Sequence, residues 1–161
     1  MSQFCGKHRG KVESNIDPMQ LGKIQVSVPA VLGDGCLSWA MPCTPYGGAG
    51  VGFFAIPPVG ANVCVESEGG DPDYPIWAGC FWGTGEIPAA PAQAGIKVLM
   101  TDGATLTISD LPGVGGVEIE TTMGMKLEMT TQGIEIANGQ GAILKPARPQ
   151  VSVSNGALEA A

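Results

Sequence analysis

Five cysteines and one histidine carry the most reactive side chains of this chain. The histidine is His8, and the cysteines are Cys5, Cys36, Cys43, Cys64 and Cys80. No two cysteines form a CxxC pair, whereas a zinc site needs ligands clustered at short spacings. We therefore predict buried free thiols in a reducing compartment, a surface histidine without a catalytic partner, and no metal or cofactor.

Two loop sequences could bind ions. The glycine-rich run 47–52 could bring backbone N–H groups close to a phosphate, but the Lys-Ser/Thr pair and the helix of a phosphate loop do not follow it. The acidic run 66–73 could offer oxygens to calcium, but it lacks the alternating Asp/Asn spacing and the closing Glu of a calcium loop. We interpret the first as a flexible loop and the second as a solvated hairpin.

Four glutamates in the second half could form catalytic carboxylate pairs: Glu118, Glu120, Glu128 and Glu135. Each alternates with apolar residues, so a strand would place all four on one face. We predict that this face is solvated and not catalytic. Trp39, Trp77 and Trp82 could form a sugar-binding platform, but in a small barrel we expect them in the core.

The chain changes character near residue 90. All aromatic residues lie at or before Trp82, and the later sequence consists of short apolar–polar alternations between glycines. Such strands have little core of their own and must cover their apolar faces with neighbours. The pattern predicts a β-solenoid or a prism shared between chains.

The whole chain is predicted to be all-β, because Gly and Pro interrupt every stretch long enough for a helix. In the first part we predict five strands: Gly10–Ser14, Lys23–Val28, Ser38–Thr44, Asn62–Glu68 and Ile76–Phe81. Five strands fit a closed OB-type barrel, and equally an SH3-like one. The predicted divisions are 1–83, a linker at 84–95, and a second region at 96–161.

Charge and hydropathy argue against nucleic acid as a partner and against a membrane span. The formal net charge is −7 with eight Lys and Arg residues, which disfavours binding to nucleic acid. No stretch approaches the roughly 18 apolar residues of a membrane span, and the first residues lack the apolar core of a signal peptide.

Residues 6–83 resemble the OB-fold domain of the central spike proteins of contractile tails. The resemblance rests on Gly10-Lys11-Val12, Asp17-Pro18, Trp39-Ala40-Met41-Pro42 and the runs 21–29, 50–60 and 63–77. This family includes phage baseplate assembly protein V and the type VI secretion spike. The resemblance implies an N-terminal five-stranded OB-fold barrel followed by a C-terminal intertwined trimeric β-helix, or β-prism, that serves as a needle.

The resemblance also implies partners and a location. We expect a homotrimer that binds a trimeric hub protein at the OB-fold end and a PAAR-type tip protein at the C-terminal end, and that meets the target membrane only transiently. The loop glycines Gly48, Gly50 and Gly52 are possible hub contacts. The linker leaves no room for a lysozyme domain, so no enzymatic activity is implied. The chain would be made in the bacterial cytoplasm without a signal peptide and reside in a baseplate.

Strand alternation selects the residues that three such chains would bury along their common axis. The predicted trimer core consists of Val117, Ile119, Leu127, Met129, Ile134 and Ile136. One alternative is a monomeric OB-fold module that binds an oligosaccharide or peptide, and a third hypothesis is cell-wall cleavage. The sequence does not distinguish a phage tail from a secretion system or an extracellular injection device.

Overall fold

The computed structural model describes residues 3–147, 150–153 and 158–160. Contacts divide the chain into two units, Met1–Gly85 and Glu86–Ala161. The division falls within the predicted linker, whose later residues group with the second unit. No helix among the described residues is both long enough and apolar enough to cross a membrane.

The first unit is a closed five-stranded barrel, which confirms the predicted OB-type fold. Its elements are β1 (His8–Ser14), β2 (Ile24–Ser27), α1 (Pro29–Leu32), β3 (Leu37–Pro42), β4 (Gly47–Gly48), β5 (Val51–Gly52), β6 (Asn62–Ser67) and β7 (Pro75–Cys80). The barrel closes in the order β1-β2-β3-β7-β6, while β4 and β5 form a separate hairpin. Strands β3 and β7 pair in parallel, and the other barrel pairs are antiparallel.

Alternating aliphatic residues form the barrel core. The buried side chains are Val12, Ile24, Val26, Val28, Ala40, Val63, Val65 and Trp77. The Trp77 indole donates a hydrogen bond to the carbonyl of Gly22 at 3.2 Å, which satisfies its polar end. Trp39 and Trp82 are 37% and 64% exposed, so the core position predicted for all three tryptophans is wrong for these two.

The second unit is a single antiparallel sheet. Its strands are β8 (Ile96–Met100), β9 (Ala104–Ser109), β10 (Gly116–Thr121), β11 (Lys126–Thr130), β12 (Gly133–Ala137), β13 (Ile143–Ala147), β14 (Gln150–Val153) and β15 (Leu158–Ala160). They lie side by side in sequence order. Every described pairing therefore joins neighbouring strands of one chain, and the winding of three chains around each other stays a prediction.

Among its described residues, this sheet has no buried core within one chain. No described residue after Gly85 falls in the buried class, and all the core side chains belong to the barrel. Three or more strands with an apolar face can be stable on their own, and in this sheet the described side chains of that face are only partly buried within one chain.

Candidate functional site

The strand register aligns aliphatic residues in two rows across one face of the second unit. In the first row, successive residues lie directly opposite each other: Leu99, Leu106, Ile119, Leu127, Ile136, Leu144 and Val153. The second row is Lys97, Ile108, Val117, Met129 and Ile134. We call these two rows the apolar face.

All six residues of the predicted trimer core lie on the apolar face, and the structure brings them together in one patch. Their burial between chains stays a prediction. The sequence analysis missed the other six members, which are five aliphatic residues and one lysine: Leu99, Leu106, Ile108, Leu144, Val153 and Lys97. The alternation Leu106-Thr107-Ile108 could have identified two of them, whereas β8 is apolar at almost every position and gives no face preference.

The apolar face is open to solvent in one chain. Leu99 is 53% exposed, Ile119 41% and Ile136 45%. Covering a half-exposed aliphatic side chain contributes about 1 kcal/mol, and the two rows repeat this gain from strand to strand. A contiguous exposed surface of this kind marks an interaction site.

The opposite face carries paired charges. Glu118, Glu128 and Glu135 lie directly opposite one another on three neighbouring strands, and Glu120 shares their face opposite Lys126. The Lys126 ammonium lies 2.9 Å from Glu128 and 3.3 Å from Glu118. Its hydrogen bond to Glu128, together with that to Glu118, outweighs desolvation and raises the pKa of Lys126.

Lys145 makes the matching ion pair with Glu135 at 2.9 Å. Each of the three glutamates in this row thus contacts a lysine, which offsets the repulsion between like charges that lie directly opposite each other. Within the described part of the chain, no group of three His, Cys, Asp or Glu side chains is placed to hold a metal ion.

The glycines proposed as hub contacts lie in a hairpin and not in a flexible loop. Gly47 pairs with Gly52, and Gly48 with Val51. The Phe53 amide donates to the Tyr46 carbonyl at 2.8 Å. A Cβ on Gly52 would lie 3.0 Å from that carbonyl oxygen, so this position favours glycine. Whether Gly48, Gly50 and Gly52 contact a hub stays a prediction.

This hairpin exposes aromatic side chains that the sequence analysis did not select. Tyr46 is 62% exposed, Phe53 53% and Phe54 82%. The Thr44 hydroxyl donates to the Phe53 carbonyl at 3.0 Å, so the backbone that carries these rings is held in place. We call residues 44–54 the aromatic hairpin.

The β1–β2 loop lies next to the aromatic hairpin, because a Cβ on Gly22 would be 3.9 Å from the Phe54 ring. The Asp17 carboxylate accepts the backbone N–H groups of Met19, Leu21 and Lys23 at 2.9, 2.7 and 3.1 Å. Desolvation opposes ionisation, but these donors and the Lys23 charge outweigh it and lower the pKa of Asp17. The loop is therefore ordered by one side chain.

His8 is not the surface residue predicted from the sequence. It opens β1, and its Nε2 is buried with no hydrogen-bond partner among the described residues. The ring meets Phe4 edge-on at 6.2 Å, and Val28, Leu32 and Val65 line the space beside it. Pairing of β1 with β6 places His8 opposite Val65. These two residues are far apart in the sequence, so local sequence patterns do not reveal that they are neighbours.

The five cysteines are free, as predicted, but the prediction that they are buried is wrong. Cys64 is half-buried, and the other four are exposed. Partial desolvation, with Cys64 nearby, raises the pKa of the Cys80 thiol. A raised pKa disfavours the thiolate, which is the reactive form of cysteine.

Two family matches cover most of the chain. Residues 8–82 match the type VI secretion system/phage-baseplate injector OB domain, and residues 96–159 match the phage baseplate V C-terminal trimerisation domain. The chain belongs to the baseplate V spike family. A comparison with curated protein sequences returned no match.

Membership of the baseplate V family assigns a role to each unit. The barrel is the injector OB domain, and the sheet with its apolar face is the trimerisation domain, which supports a homotrimer. The chain is a structural component of the baseplate of a phage tail or a related injection particle. The two matches end and begin on either side of the predicted linker.

Proposed function

We propose that this baseplate V protein is the central spike of a contractile injection machine. Three copies form a trimer on the baseplate axis, join the hub to the tip and puncture the target envelope during contraction. The observation that carries the proposal is the apolar face, whose aliphatic rows continue from strand to strand of the trimerisation domain and whose described side chains are not buried within one chain.

Puncturing demands a rod that does not unfold locally under load. The strands inside the sheet are hydrogen bonded on both sides by their own chain, which satisfies the backbone without help from other molecules. Packing three apolar faces against one another would add a common core and leave the charged faces outside. Such a prism would be stiff across the strands and hydrated at its surface.

We propose a different protein partner for each of the two ends of the chain. A trimeric hub binds at the OB-fold end, where the aromatic hairpin offers exposed rings, with Gly48, Gly50 and Gly52 as possible contacts. A PAAR-type tip protein binds at the C-terminal end. The target membrane is met only transiently, and the net charge of −7 disfavours nucleic acid. We infer no enzymatic activity.

Light scattering after size exclusion tests whether the chain forms the proposed trimer. A mass near three times 16.4 kDa supports the spike, and a monomer at micromolar concentration contradicts it. The puncturing role is tested with assembled injection particles and target cells loaded with a dye. Particles that carry a trimer-deficient variant of this chain should no longer cause the cells to release the dye. Undiminished release would show that another protein breaches the envelope.

The second candidate is a monomeric OB-fold module that binds an oligosaccharide or peptide. The exposure of Trp39 and Trp82 favours it, because exposed aromatic rings stack on sugars and side chains. Saturable quenching of tryptophan fluorescence by an oligosaccharide, in a chain of monomeric mass, would support this function over the spike.

A further inference from the structure

The apolar face has one charged member among its described rows, Lys97. It lies on β8, the first strand of the sheet, directly opposite Ile108. Its ammonium contacts the carboxylate of Asp110, the residue that follows β9. The Asp110 amide donates to the Gly95 carbonyl at 2.8 Å, so the backbone that carries the carboxylate is fixed.

The remaining members of the apolar face do little to fix how one copy of the chain is aligned along another. The first row consists of Leu, Ile and Val alone, so moving one copy along another by a strand would exchange one aliphatic contact for a similar one. Strand and sheet registers are weakly specified where neighbouring positions are interchangeable. A polar group at one level of an apolar interface can specify the register, at some cost in stability.

We propose that the ion pair of Lys97 and Asp110 sets the axial register of the three chains. In the aligned trimer, three such pairs meet at one level at the β8 end of the apolar face. In a slipped trimer, each pair would face the aliphatic residues of another copy and lose water without gaining a polar neighbour. This inference rests on the proposed trimer with its apolar faces inward.

The test replaces the pair by apolar residues of similar size, K97M with D110L, in the full chain. A ketone-bearing amino acid at Glu120, on the charged face, carries one nitroxide per chain and avoids the free cysteines. Pulsed electron spin resonance then measures the distances between copies. We expect one narrow distance for the wild-type trimer, and several distances for the double variant at unchanged trimer mass.

The matched control removes an ion pair from the opposite face, K145M with E135L, and should keep the single wild-type distance. The reversed pair, K97D with D110K, retains one ion pair per chain and should also keep it. A single distance in the apolar K97M/D110L variant, or several in the reversed variant, would overturn the register role. A wild-type monomer would show no inter-chain distance and would refute the trimer itself.

Discussion

Leu127 lies directly opposite Ile136, and the next residues along the same two strands, Glu128 and Glu135, lie directly opposite each other. The apolar face and the charged face of the trimerisation domain are thus separated by a single residue step. A slip of one residue in this pairing would bring the glutamates to the side of the leucine and isoleucine. The identity of each face therefore depends on the hairpin register.

We expect Leu127→Asp or Ile136→Asp to abolish the trimer. Three symmetry-related carboxylates would be buried at one level, and each uncompensated buried charge costs several kcal/mol. Light scattering should give a mass near 16.4 kDa in place of a threefold larger one. A variant that remains trimeric with unchanged melting would reject the inward position of these residues.

The control for these variants is Glu118→Gln or Glu135→Gln on the charged face. Both changes keep the shape of the side chain and remove one charge in contact with a lysine. Assembly should be intact, with melting altered only slightly. Loss of the trimer in either control would mean that the two faces are reversed.

Lys126→Met should lower stability by about 1 kcal/mol at pH 8, because Glu118 and Glu128 would then face each other without a cation. The pKa of Lys126 is raised above its ordinary value of 10.5. Its stabilising effect is therefore complete below that pH and is lost as the pH rises through the higher value in the folded state. The difference in melting temperature between variant and wild type should stay constant from pH 8 to about pH 10 and narrow as the pH rises further, and 1 M salt should reduce it at pH 8.

Asp17→Ala should lower the melting temperature of the OB barrel, because three backbone N–H groups lose their acceptor. The pKa of Asp17 is depressed below its ordinary value of 3.8. Its contribution is therefore present above that pH and disappears as the pH falls through the lower value in the folded state. The melting curves of variant and wild type should converge at low pH. Asp34→Ala, at an exposed turn, is the control and should change little.

His8→Phe should stabilise the barrel by about 1 kcal/mol, since it removes a buried ring nitrogen that has no partner in the described structure. Urea unfolding of the full chain at pH 8 measures the change. His8→Gln, which keeps a polar group in the apolar surroundings, should give no such gain. If His8→Phe instead lowers the free energy of unfolding, a water molecule or another polar group must satisfy Nε2 in solution.

The barrel was largely predictable because its strands alternate cleanly. Ile24 and Val26 are buried on the same side of β2, as the period of two requires. The four-residue helix Pro29–Leu32 was missed, because one turn is too short to show a helical period. The sequence predicts a loop at Gly47–Gly52, where the structure has a hairpin, since glycines carry no side-chain pattern from which a strand could be recognised.

The sheet was predictable where polar and apolar residues alternate, from Val117 to Ile136. The sequence did not reveal that the rows continue to Leu99 and Val153, because row membership depends on which residue of the next strand lies opposite. Nor did it reveal the pairing of Lys97 with Asp110. Lys97 and Asp110 are too far apart in the sequence for a strand or helix repeat to relate them, and they come together only once β8 and β9 form a hairpin.

The neighbour-to-neighbour order of the strands has a consequence for assembly in the cell. Contacts that are close in sequence form quickly, and a single hairpin closes in about 1–10 μs. One newly made chain can therefore complete its backbone pairing alone, whereas meeting two further copies depends on their concentration. During that interval the finished sheet is prone to adhere to unrelated proteins. The yield of correct particles should thus depend on how many copies are synthesised close together in time.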